Sequence, residues 1–152
     1  MRISLRAARP ADLELIHAIR RNAILGIDSD SLSPGDRQAW TDRRSPEFYA
    51  RRVAEGGVVI AVSEIGSVAW GSRFDDWITG LYVHSSSRRI GVGRTLMLRL
   101  ESDIVERGYA TAKLESSPNA VAFYANLGYV AVGLPDDAGA IPMEKSLRPT
   151  PA

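Results

Sequence analysis

The sequence predicts a single α/β domain over residues 1–148, with a frayed tail at 149–152. Its centre is expected to be a mixed, mostly antiparallel sheet of about seven strands flanked by about four helices. Three observations carry this expectation. The chain has 152 residues, 45% of them apolar and 24% charged, which suits one sizeable core. Short β-branched runs alternate with stretches whose apolar residues recur every three or four positions. In the middle, a strand-like run turns through paired glycines into a helix-like run.

The elements follow in order. Arg2 to Ala7 alternates, with Ile3 and Leu5 on one face, and predicts a strand. Pro10-Ala11-Asp12 opens a helix, because proline is tolerated in a first turn and Asp12 complements the dipole. Leu13, Ile16, Ile19 and Ala23 form its apolar stripe. Gly26 to Gly35 is a loop, Ser33-Pro34 starts a short helix through Trp40, and Ser45-Pro46-Glu47 starts another, ended by Gly56-Gly57. Val58 to Ile65 is a buried strand, Gly66 the turn and Val68 to Phe74 its hairpin partner. Asp75-Asp76 is a second turn before the strand Ile78 to His84, where Gly80 suggests a bulge or a close backbone approach. The helix Arg94 to Arg107 presents Leu96, Leu100 and Ile104 on one face, with Gly108 at its C′ position. Ala110 to Ser116 is a strand, Ser117-Pro118 starts a helix closed by Gly128, and Tyr129–Gly133 and Ile141–Leu147 are the last strands.

Composition narrows the function. Lys plus Arg number 19 against 18 acidic residues, so the net charge of +1 argues against a general nucleic-acid binder. Cysteine is absent and histidine occurs only at His17 and His84, so thiol chemistry is excluded and a metal site is not expected. No apolar run is long enough for a membrane span, and Met1 to Pro10 lacks a signal-peptide core, so a cytoplasmic protein is expected.

The stretch Arg88-Arg89-Ile90-Gly91-Val92-Gly93 carries the chemistry. Helix-start N–H groups lack intrahelical partners and the dipole adds positive charge there, so a glycine turn at this place admits a phosphate. A P-loop would need Gly at position 88 and Lys at 94, where Arg88 and Arg94 stand; a dinucleotide fingerprint would need Gly at 96, which is Leu96. On its own the glycine pair fits a structural strand-to-helix turn as well as an anion site.

Together with Leu81-Tyr82-Val83-His84 before it and Arg94-Thr95-Leu96 after it, this stretch resembles the acetyl-CoA-binding segment of the GCN5-related N-acetyltransferases, in which Arg88, Gly91 and Gly93 match. Asn119 to Tyr129, with Ala122 before the Phe123-Tyr124 pair and then Gly128, resembles the family's second signature. The opening Ile3 to Ala8 with Asp12, and the closing Pro142-Met143-Glu144-Lys145, are similar to the family's ends.

The resemblance implies an N-acetyltransferase that moves the acetyl group of acetyl-CoA to a primary amine by direct attack in a ternary complex, with no metal. It implies a V-shaped gap between the fourth and fifth strands for the cofactor arm. Backbone N–H groups over Arg89, Ile90, Gly91, Val92, Gly93 and Arg94, with Thr95 completing the segment and Arg88 and Arg89 adding charge, would hold the pyrophosphate. Leu81, Tyr82 and Val83 would pair with pantetheine, and an N–H of that strand would polarise the thioester. Asn119 would bond the arm, Phe123 would pack beside it, and Tyr124 would be the general acid, since a phenol stays protonated at neutral pH. The strand carboxylate that many members use as a base is missing from Trp77-Ile78-Thr79-Gly80, which leaves Asp75, Asp76, His84 or a water. Trp40, Tyr49, Trp70, Phe74, Trp77 and Tyr82 are candidates for an aromatic acceptor site. The acceptor, a small-molecule or peptide amine, is left open, as are a homodimer, a longer acyl-CoA and a non-catalytic acetyl-CoA sensor. No nucleic-acid or membrane partner is expected.

Overall fold

Strand β1 (Ser4–Ala7) lies antiparallel to β2 (Val58–Ser63), with Leu5 opposite Ala61. The computed structural model describes residues 2–27 and 32–148, so the expected tail and part of the Gly26–Gly35 loop lie outside the described residues. Strands β3 (Gly66–Phe74) and β4 (Trp77–Val83) continue the meander. After them come β5 (Thr111–Ser116), β6 (Val130–Ala131) and β7 (Ile141–Ser146), giving one seven-stranded sheet in the order β1-β2-β3-β4-β5-β7-β6. All neighbours are antiparallel except β4 and β5. The mixed, mostly antiparallel sheet matches the expectation.

Among the described residues five α-helices flank it: α1 (Leu13–Leu25), α2 (Pro34–Asp42), α3 (Pro46–Ala54), α4 (Val92–Glu106) and α5 (Val121–Asn126). Both α2 and α3 begin with Ser-Pro: the Ser33 and Ser45 hydroxyls accept from the N–H groups of Asp36 and Phe48, and proline sits where no donor is needed. One boundary differs at the first hairpin. Glu64 and Ile65 make the turn, and Gly66, expected as the turn residue, is the first residue of β3 at φ +113°.

The sheet is covered on both faces. Alternation along β3 sends Ala69 to one side and Trp70 to the other. On the first side, Leu96, Leu100 and Ile104 of α4 meet Ala61, Ala69 and Leu114. On the second, Ile16 and Ile19 of α1 and Tyr49 and Val53 of α3 enclose Ile60 and Trp70, whose indole N–H donates to the Ile16 carbonyl at 2.9 Å. Each such aliphatic side chain contributes about 2 kcal/mol by leaving water. A polar joint ties α4 to the far end of the sheet: the Tyr129 hydroxyl donates to buried Glu101 at 2.7 Å, and Lys145 Nζ reaches the same carboxylate at 3.0 Å. No helix among the described residues is long and apolar enough to cross a membrane.

Candidate functional site

The parallel strands β4 and β5 are paired at one place only, Trp77 opposite Lys113, where the Lys113 N–H donates to the Asp76 carbonyl at 2.9 Å. Beyond it they part. The other edge of β4 is irregular. There Ser72 pairs with Gly80 but Arg73 with Ile78, so Thr79 is an extra residue. Such a bulge bends and twists its strand, and it lies where β4 and β5 cease to pair. Gly80 permits it: a Cβ there would sit 3.1 Å from the Ser72 hydroxyl and 3.2 Å from the Trp70 ring. Both readings of Gly80 from the sequence, bulge and close approach, are realised.

The parted strands open into a cleft of about 620 Å³, within the range of roughly 300–1,000 Å³ usual for small-molecule sites. Leu81, Tyr82 and Val83 line it from β4, and Leu114 and Glu115 from β5. Asn119, Phe123 and Tyr124 line it from the Pro118–Ala120 turn and α5, and Arg88 and Arg89 from the glycine loop.

In that loop Arg89 and Gly91 both stand in the left-handed region, at φ +65° and +85°. Gly91 caps α4 without a side chain, and the space where its Cβ would project is open. The first bond of α4 runs from the Thr95 N–H to the Gly91 carbonyl at 3.1 Å, so the N–H groups of Val92, Gly93 and Arg94 precede it and carry the positive end of the dipole. Gly93 serves differently: a Cβ there would stand 3.2 Å from the Phe123 ring, so its absence lets α5 seat against α4. Arg88 donates to the carbonyls of Gly26 at 3.1 Å and Ala23 at 3.4 Å, closing the C-terminus of α1. Ile90, Arg89 and Arg94 are exposed and Val92 is buried.

Tyr124 is buried, with its ring edge-on to Phe123 and Tyr129. Burial, and secondly the neighbouring Tyr82, push its hydroxyl pKa well above the ordinary phenol value. It therefore holds its proton at neutral pH.

The base candidates named from sequence do not line this cleft. Asp75 and Asp76 form the β3–β4 turn, and the Asp76 carboxylate pairs with Lys113 at 3.3 Å. His84 Nδ1 accepts from the Ser86 N–H at 3.1 Å, capping the turn Ser85–Ser87. Of the aromatic candidates, Trp40, Tyr49, Trp77 and Tyr82 line the cleft; Trp70 is wholly buried, and Phe74 lies under Arg52 at 4.3 Å.

Sequence reasoning missed four charged residues of the site. Glu115 is the one carboxylate among the described residues lining the cleft, and Arg43, just past α2, pairs with it. Arg43 also reaches Asp136 at 3.2 Å, and Arg44 lines the cleft beside it. Arg20, 8% exposed, donates to the carbonyls of Trp40 and Thr41 and lies 5.5 Å from the ring centres of both Tyr49 and Tyr82. Its signal was legible in principle. Arg20 stands one helical turn after Ile16, inside the apolar stripe of α1, where an arginine is out of place unless it has work. Among the described residues no group of His, Asp and Glu side chains converges as a metal ion would require.

Residues 27–147 match the acetyltransferase (GNAT) domain family. Among curated proteins, none matches the sequence. Among solved structures, the chain is similar to a GCN5-related N-acetyltransferase from Rhodopseudomonas palustris, at 28% identity and a TM-score of 0.85, covering 97% of each chain. It is also similar to the PaiA N-acetyltransferase of Thermoplasma acidophilum in complex with coenzyme A, at 19% identity and a TM-score of 0.77, over 96% of this chain and 99% of that one. A third, yncA of Salmonella typhimurium with its cofactor acetyl-CoA, gives 21% identity and a TM-score of 0.68, over 100% and 98%. At these identities the last two bear on the fold alone.

Proposed function

The chain belongs to the GNAT acetyltransferase family, and from that premise we propose that it transfers the acetyl group of acetyl-CoA to a primary amine by direct attack in a ternary complex. Acetyl-CoA supplies the acetyl group already activated as a thioester. One observation supports the reading: the cleft between β4 and β5 is lined by the protonated Tyr124 and by Arg88 and Arg89, which lead directly into the side-chain-free, left-handed helix cap at Gly91.

In this reading the free N–H groups at the start of α4, together with Arg89 and Arg94, hold the pyrophosphate. Arg88 fixes the loop to α1 and adds charge at its lip. Leu81, Tyr82 and Val83 offer the unpaired edge of β4 to the amides of the pantetheine arm, and one of their N–H groups polarises the thioester carbonyl. Asn119 bonds the arm and Phe123 packs beside it. Tyr124 gives its proton to the departing sulfur.

The test is Tyr124→Phe. It should lower kcat on the order of a hundredfold while calorimetry finds acetyl-CoA affinity unchanged. Undiminished turnover would remove the acid role. Tight acetyl-CoA binding with no CoA released to any amine would mark a sensor instead. Affinities for acetyl-, propionyl- and succinyl-CoA, measured side by side, fix the acyl chain.

A further inference from the structure

The proposed transfer leaves one wall of the cleft without an occupant, and the charged residues on that wall are mostly cationic. Arg20, Arg43 and Arg44 line it against a single carboxylate, Glu115. Arg43 is already matched, by Glu115 and by Asp136. Arg44 lies over the Phe48 ring at 4.5 Å and has no carboxylate partner among the described residues. Arg20 is buried, donates from one outer nitrogen to two backbone carbonyls, and leaves its Nε without a partner among the described residues. The buried Tyr49 hydroxyl, on the same wall, also has no partner among the described residues.

Buried arginine retained with incomplete bonding marks a place where an anion completes the set. The planar guanidinium fork matches a carboxylate, and the aromatic rings of Trp40, Tyr49 and Tyr82 line the cleft around it. Glu115 lies on β5 beyond the Trp77–Lys113 contact, where the strands have parted, and so stands at the mouth of the gap.

Resting on the reading of the cleft as an acetyltransfer site, we propose that the acceptor is a small amine carrying a carboxylate. Its carboxylate is seated on Arg20 and Arg44, and its amine is directed by Glu115 to the gap between β4 and β5. A polyamine or other polycation is disfavoured, because it would add positive charge to a wall that already carries an excess.

Calorimetric titration of the CoA-saturated protein with a panel of amino acids, each beside its carboxamide, and with spermidine, tests this directly. At least one amino acid should bind about tenfold tighter than its carboxamide, and Arg44→Gln should bring that ratio close to one. Equal or tighter binding of the carboxamides, preference for spermidine, or no amino acid bound at all would overturn the proposal. So would a ratio unmoved by Arg44→Gln. Among the described residues Arg44 makes no hydrogen bond or ion pair, only its contact with the Phe48 ring, so its variant disturbs the fold less than an Arg20 variant, which could lose the α1–α2 contact. Parallel assays of CoA release separate the two layers of the argument. Binding of an amino acid without release leaves the acceptor class standing and removes transfer. Release to carboxylate-free amines alone keeps transfer and removes the acceptor class.

Discussion

Gly91 stands at φ +85° with open space where a Cβ would project, so a side chain there meets no neighbour, only the backbone strain of the left-handed region. Gly91→Ala should therefore cost about 1 kcal/mol in urea unfolding and weaken acetyl-CoA binding as well. Gly93→Ala, whose Cβ would meet the half-exposed Phe123 ring, should cost less because that ring can shift. A larger loss at Gly93 would reverse the assignment of the two roles. The difference explains what was legible at this scale. A glycine pair between a strand pattern and a helix pattern writes its backbone demand into the sequence, whereas Tyr124 and Asn119 were singled out by the resemblance to a family signature. Glu115 and Arg43 write nothing locally. Each is an ordinary surface-type residue until the fold brings β5 beside the end of α2. Asp75, Asp76 and His84 were reasonable candidates by sequence distance from the loop, and were then claimed by turn and cap geometry.

Among elements, the joint between β1 and α1 depends on one carboxylate. Arg6 on β1 donates to Asp12 with both outer nitrogens, at 2.8 and 2.9 Å, and the Arg9 N–H donates at 2.8 Å. The Arg6 hydrogen bonds, then that backbone N–H, hold the Asp12 carboxyl well below the usual carboxylate range. In the unfolded chain it titrates near ~4. Its contribution to stability is therefore complete above that pH and is lost as pH falls from about 4 toward the depressed folded value. Asp12→Asn should lower the urea midpoint at pH 7, and the gap between the two proteins should narrow steadily as pH falls from about 4 toward 2; a gap that persists undiminished into acid would show that the carboxylate's charge is not what matters. Element boundaries were readable where caps are chemical, as at Ser33-Pro34 and Ser45-Pro46, and less so at Gly66, because a positive φ suits a strand's first residue as well as a turn.

At the scale of the molecule, the sheet is two blocks, β1 to β4 and β5 with β7 and β6, joined through a single register pair and the Asp76–Lys113 ion pair. Seven strands in a mixed sheet were expected and Gly80 marked a bulge, but the pairing that sets its place was not readable. The bulge at Thr79 depends on which residue of β3 faces Gly80, a matter of register rather than of composition. A ligand lying in the gap contacts both blocks. Acetyl-CoA at a hundred times its Kd should therefore add about 2.7 kcal/mol, read as a raised Tm. Hydrogen exchange should slow on Leu81–Val83 and on Leu114–Ser116 together. Protection of one strand without the other would mean that the arm does not bridge them. The parted strands have a further consequence for the life of the empty protein. Their facing N–H and C=O groups are two sheet borders turned inward, of the kind that recruits stray chains and seeds aggregation when it faces outward. Flanked by residues of α1 and α5, these borders face a cleft rather than the open surface, so what would be a hazard outside stands where, in the proposed function, the ligand lies.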